Sequence, residues 1–223
     1  MECREDSTSP DSFFPMSYQQ FIQQSVAEGL SLQQEFFLAH AHRIEEVALE
    51  MAERLRRGKK LLVFGNGGSA ADAQHMASEL VGRFSNDSRR QTALSAFALS
   101  TDTSILTSVS NDFGFEWAFA RQIAAHGQEG DVAVAISTSG NSPNVLKAVE
   151  EAKARRLLTI ALSGRDGGKL AGRVDACFTV QSNCTARIQE VHGLLIHLLC
   201  EIVDQEMIRT EREAIQPSGT ISS

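Results

Sequence analysis

The chain has 223 residues, enough for one domain with a full core, and no apolar run in it approaches the ~20 residues that cross a bilayer, which excludes a helical membrane span. An apolar share of 42% and a charged share of 22% are ordinary for a soluble globular protein. The formal net charge of -7 argues against a nucleic-acid partner, which selects a basic surface, but not against phosphate, which backbone N–H groups at a helix N-terminus can hold.

Residues 1–16 mix acids, serines and prolines and lack the apolar stretch of a secretion signal, so a disordered tail is expected there. Tyr18 to Phe37 reads as a helix, with Ile22, Val26 and Leu30 four apart on one face. A second helix is expected to follow, carrying Ile44, Val47, Ala48, Met51, Ala52 and Leu55, and to stop at Gly58. The rhythm then changes. Leu61 to Phe64 is a short apolar run ending at Gly65, the pattern of a buried strand, and a glycine-rich loop and a helix come after it. The same grammar recurs at 131–136, with a helix from about Pro143 to Arg155, and at 157–162, followed by the glycines of 164–168. Ala93 to Leu99 and Ala176 to Val180 are further strand candidates. A long amphipathic helix, about Ala186 to Met207, closes a single domain spanning 17–210, and 211–223 is expected to fray.

Alternating strands and helices imply an α/β fold: a doubly wound parallel sheet of about five strands flanked by helices, with an N-terminal helical pair. Ligands in such sheets bind beyond the carboxyl ends of the strands, where both glycine/serine loops fall. The helical pair has two apolar faces to bury, and a neighbouring subunit is a plausible destination. Cys3, Cys177, Cys184 and Cys200 form no C-x-x-C pair and no zinc-finger spacing; they read as free thiols in a reducing, cytoplasmic setting.

Four constellations carry chemistry. Gly65-Asn66-Gly67-Gly68-Ser69 lies between a strand and a helix, so its backbone can approach a ligand closely; it matches neither the dinucleotide nor the P-loop fingerprint. A tight turn capped by Ser69 is the plainer account of it. Ser137-Thr138-Ser139-Gly140-Asn141-Ser142 gathers four hydroxyls before a helix whose first residue is Pro143, a neutral cradle for phosphate; capping alone needs one hydroxyl. His75 and Glu79 are i, i+4 and share a helix face, suited to a divalent metal or to acid–base work. On the last helix stand Arg187, Gln189, Glu190, His192 and His197. Spacing alone pairs Glu190 with His197, since Gln189 is turned about 80° from His197 around the axis. His40 and His42, two apart, do not face each other, and His126 before Gly127 reads as a surface turn residue.

The ordered set Gly65-Asn66-Gly67-Gly68-Ser69, His75 and Glu79, Asn111-Asp112-Phe113-Gly114, Ser137 to Ser142, and Arg187-Ile188-Gln189-Glu190 with His197 resembles the sedoheptulose 7-phosphate isomerases of the sugar isomerase (SIS) domain class. The likeness runs from about Tyr18 to Met207. It implies interconversion of sedoheptulose 7-phosphate and D-glycero-D-manno-heptose 7-phosphate for lipopolysaccharide or other surface glycans, in a homotetramer with active sites between subunits. It implies substrate contacts by Asn66, Gly67, Gly68, Glu79, Asn111, Asp112, Ser137, Thr138, Ser139, Ser142 and Gln189. It implies zinc held by His75, Glu79, Gln189 and His197, so here Gln189 stands where spacing favours Glu190. Glu79 and His197 become the acid–base pair of an enediol mechanism. A related group shares the fold and the serine loop but acts as a tetrameric adaptor for a replication initiator, without that pair. The stretch 70–74 resembles the adaptor group, whereas Glu79 and His197 resemble the enzymes.

Overall fold

The computed structural model describes residues 16–82 and 92–215. The expected N-terminal tail, Met16 apart, lies outside them, as do residues 216–223 and Cys3.

Helix α1 runs without a break from Tyr18 to Arg56. The expected helical pair is therefore one helix of 39 residues. Ala39 and Ala41 favour helix, no Gly or Pro stands between Phe37 and Ile44, and His40 bonds back to the Phe36 carbonyl at 2.9 Å while stacking on its ring, so the change of stripe near His40 does not interrupt the backbone. Ser17 and Gln20 form a reciprocal capping box at the start.

Strands β1 (Leu61–Gly65), β2 (Ala96–Ala98), β3 (Val132–Ser137), β4 (Leu158–Gly164) and β5 (Ala176–Val180) form one all-parallel sheet in the order β2-β1-β3-β4-β5. Strands β1, β3 and β4 are buried along their whole length, which explains their continuous apolar runs. The edge strand β2 is shorter than 93–99, since only three of its residues pair with β1.

Helix α2 (Gly68–Val81) follows β1, α3 (Thr103–Phe113) follows β2, and a 3-10 turn (Phe115–Trp117) leads into α4 (Ala120–His126). Helices α5 (Pro143–Ala154) and α6 (Gly168–Ala171) follow β3 and β4, and α7 (Thr185–Ile215) follows β5, continuing past the expected end at Met207. Alternate strand residues face two cores. Leu61 and Val63 pack with α1, α2 and α7; Leu62 and Phe64 pack with Phe119, Ile123, Val145 and Val149. At the amino ends of the strands, buried Asp131 accepts from the Lys60 and Gln128 amides and pairs with the Lys60 ammonium at 2.7 Å. This leaves the carboxyl ends, where the order turns from β2 on one side of β1 to β3 on the other, as the open face.

Candidate active site

The first wall of the site is the β1–α2 turn. A Cβ on Gly65 would stand 2.8 Å from the Ile136 carbonyl, so the loop can press against β3 only with glycine there. Gly67 takes φ +56 and caps α2 without any side-chain cap; Ser69, the capping candidate, lies instead inside the helix and is buried. Seven residues into α2 comes His75, and one turn later Glu79.

Helix α7 supplies the other half. His197 Nε2 lies 3.2 Å from His75 Nε2, and His75 Nε2 lies 3.0 Å from Glu79 Oε1. The ligand atoms of His75, Glu79 and His197 all fall within 4.8 Å of one another, and the three side chains are partly buried. Two nitrogens bound tetrahedrally to one zinc ion at ~2.0–2.1 Å are about 3.3 Å apart. The imidazole separation therefore fits a shared metal, and two nitrogens with a carboxylate oxygen are a donor set that zinc takes.

Gln189 and Glu190 part company here. The Gln189 amide lies over Gly68, so close that a Cβ at residue 68 would be 2.3 Å from its Nε2. Glu190 turns to α1, where it covers Gly29, and pairs with Arg187 of its own helix at 2.6 Å. The i, i+7 pairing of Glu190 with His197 is thus not what forms. Helix α7 packs on α1 and α2 at once, and Glu190 is on the α1 side. Gln189 meets the start of α2 and His197 meets its later turns, so the two lie along one interface despite their 80° offset.

The second wall is the β3–α5 loop. Ser137 and Ser142 hydroxyls are 3.1 Å apart, and Ser139 Oγ accepts from the Asn141 amide at 3.2 Å. Ser142 is the N-cap of α5 by position, yet its hydroxyl makes no capping bond, so capping does not account for this serine cluster. Thr138 and Ser139 are partly buried on the same turn. Gly140, at φ +63, packs flat on the Gly167 carbonyl, and its own carbonyl accepts from Leu170, so the β4–α6 loop supports the cradle from behind.

Asn111 and Asp112 are not drawn to this cluster. They are exposed at the end of α3, bonded to each other at 2.8 Å, on a helix none of whose residues is buried. His126 is the exposed last residue of α4.

A SIS domain pattern matches residues 25–164. A phosphoheptose isomerase of Nitratidesulfovibrio vulgaris is 44% identical over 89% of this chain and 93% of its own length. One from Thiobacillus denitrificans is 52% identical over 78% and 88%. Among solved structures, the Neisseria gonorrhoeae phosphoheptose isomerase superposes with a TM-score of 0.79 at 44% identity, covering 85% of this chain and all of that one. The chain belongs to the phosphoheptose isomerase family of SIS domains. The Francisella tularensis member agrees, with a TM-score of 0.78 at 38% identity.

Three groups around this family site have surroundings that helix spacing does not announce. Asn144, on the first turn of α5, exchanges two hydrogen bonds with Asn66 across the site at 2.8 and 2.9 Å. Asp72, one turn before His75, has a buried Oδ2 without a partner among the described residues; burial pushes its carboxyl up, against the pull of the His75 charge. His192 is fully buried, and its Nε2–H donates to the Ser163 carbonyl at 3.0 Å while Nδ1 has no partner among the described residues, so burial lowers its pKa to about 4 and the ring is neutral. It ties α7 to the end of β4. An Asn following an N-terminal helix proline is the one visible signal for Asn144; His192 already stands among the polar residues of the last helix, and Asp72 lies within the stretch 70–74, with no local sign that either is buried.

Proposed function

We infer that the protein is an aldose–ketose isomerase that interconverts sedoheptulose 7-phosphate and D-glycero-D-manno-heptose 7-phosphate. The observation that carries this reading is the meeting of Glu79 with His75 and His197 beside two loops at the carboxyl end of the sheet. An adaptor has no use for a carboxylate and two imidazoles gathered in one place, so the enzyme reading is preferred.

The reaction moves one proton between C1 and C2. In the ketose-to-aldose direction a base takes a C1 proton, and the C2 carbonyl oxygen gains a proton from an acid, giving an enediol. Return of a proton to C2 and loss of the O1 proton leaves the aldehyde at C1. Glu79 is the group for carbon and His197 the group for oxygen, each giving at an atom in one direction the proton it takes there in the other. Both are held on long helices whose packing fixes their separation. Ser137, Thr138, Ser139 and Ser142 hold the phosphate, and the backbone of Asn66, Gly67 and Gly68 lines the sugar. His75, Glu79 and His197, with Gln189 as a fourth donor, are the residues that would hold zinc. Such an ion, when bound, polarises sugar oxygens as a Lewis acid.

Asn111 and Asp112 reach substrate only if α3 lies against another subunit, so the working form is a homotetramer with sites at its junctions. Cys177 is a free thiol, which suits the cytoplasm, and the product suits assembly of lipopolysaccharide or another heptose-containing glycan. Incubation of the purified protein with sedoheptulose 7-phosphate, read by appearance of the aldose, tests the reading; a zinc-loaded protein that leaves the ketose unchanged overturns it.

A further inference from the structure

The last pair in the β1–β3 ladder is Gly65 with Ile136. Beyond it the two chains part, one into the glycine loop and α2, the other into the serine loop and α5. A side-chain bridge rejoins them. Asn66 Nδ2 donates to Asn144 Oδ1 at 2.9 Å, and Asn144 Nδ2 donates to Asn66 Oδ1 at 2.8 Å. Asn144 Oδ1 also accepts from the Val145 amide at 3.0 Å, which locks its carboxamide to the α5 backbone.

Asn144 is 3% exposed and Asn66 partly buried, so water competes little for these bonds. Each carboxamide uses a donor and an acceptor on the other, an arrangement no other residue pair of that size reproduces. The bridge joins the loop that leads to Glu79 with the loop that holds the hydroxyls. Substrate must span both, with phosphate at one end and C1–C2 at the other.

We propose that Asn144 is a positioning residue: through its paired amide with Asn66 it sets the span between the phosphate cradle and the proton-transfer end of the site. Asn66 is then a brace by its side chain, and its loop meets substrate through the backbone. This rests on the isomerase reading for the identity of the ligand, and its test uses binding alone.

The test compares affinity for inorganic phosphate with affinity for sedoheptulose 7-phosphate, by calorimetry. It uses the wild type, Asn66→Ala, Asn144→Ala, the double variant and Asn144→Asp. The ratio of the two affinities measures what the sugar end adds once phosphate is anchored. Either alanine variant is expected to weaken sugar-phosphate binding by about tenfold or more, as a misplaced site does. Phosphate itself should stay within about twofold, and the double variant should be no worse than the worse single, because the two act through one another. Asn144→Asp keeps the shape and the bond from Val145 but sets oxygen against Asn66 Oδ1, so it should show the same loss without a cavity.

An unchanged ratio in folded variants overturns the proposal. So does a double variant whose loss is the product of the singles, or a phosphate affinity that falls in step with the sugar phosphate. A wild type for which the sugar adds nothing to phosphate overturns it as well. A wild type that binds the sugar phosphate but never isomerises it defeats the isomerase reading only, and the ratio still judges the brace.

Discussion

His75 and His197, 122 positions apart, meet edge to face with ring centroids 4.8 Å apart and planes at 82°. That geometry turns both Nε2 atoms toward one point, beside Glu79 Oε1. Neither imidazole can serve as the other's donor if both carry a lone pair there, so a proton or a metal ion must lie between them.

A metal is the expected occupant. Purified protein should carry close to one zinc per subunit by elemental analysis, and His75→Ala should lose it while remaining folded. Stripping zinc with a chelator should lower turnover, and adding it back should restore it. Full activity in a verified metal-free sample would reject a catalytic role for the ion.

Gly68→Ala tests the other donor. Gly68 has no left-handed backbone to protect, and alanine favours a first helical turn, so the fold should hold. The new Cβ would nonetheless stand 2.3 Å from Gln189 Nε2 and must push the amide away. A melting point within a few degrees of wild type, with lower zinc affinity and lower kcat/KM, is expected. Equal zinc affinity in the variant would remove Gln189 from the site.

Much of this could be read in the chain. The runs Leu61–Phe64, 131–136 and 157–162 became β1, β3 and β4 because a strand covered on both faces has to be apolar throughout. His75 and Glu79 were visible as partners because both belong to one helix. What failed needed tertiary knowledge. Two helices are the natural reading of two separate apolar sets, but α1 carries both, because its buried residues, Phe36, Ile44, Val47, Met51 and Leu55 among them, gather toward its later turns while Ile22, Val26 and Leu30 stay exposed. Glu190 was favoured because helix spacing ignores what packs on each face. Asn144 and Asn66 are 78 positions apart, and no local pattern announces such a pair.

His192 makes stability depend on pH. Its folded pKa is about 4, against an ordinary 6.5, so between those values the unfolded chain binds the proton and the folded chain does not. The contribution is complete above pH 6.5 and is lost as pH falls toward 4, to a total of about 3 kcal/mol. Unfolding midpoints in urea should fall across that window, and His192→Gln should flatten the fall. The other titrating groups are common to both proteins and cancel in the difference. Parallel curves would show that His192 is not the group responsible.

Assembly should show in solution. Helix α1 is about 58 Å long, and Phe21, Ile22, Val26 and Leu30 on its first half are each more than half exposed. A stripe of that kind calls for a partner surface. Light scattering at micromolar concentration should give a tetramer, and Val26→Asp with Leu30→Asp should give smaller species that have lost turnover. A wild-type monomer would defeat both the assembly and the shared site.

The proposed acid–base pair, Glu79 and His197, gives the decisive contrast between enzyme and adaptor. Glu79→Gln keeps size and some hydrogen bonding but cannot take a proton from carbon. Turnover should fall by about 10² or more, the usual worth of general acid–base catalysis. His197→Asn should do likewise. The double variant should be little worse than the worse single, because both residues act on one reaction path. Since both also face the metal position, zinc content is measured in each variant first. A loss of turnover at full zinc content belongs to proton transfer, and a loss that tracks zinc content belongs to the ion. Binding of inorganic phosphate at the proposed cradle of Ser137, Ser139 and Ser142 should persist in both cases. Folded variants that turn over at the wild-type rate would show that the carbon-bound proton moves by some other group.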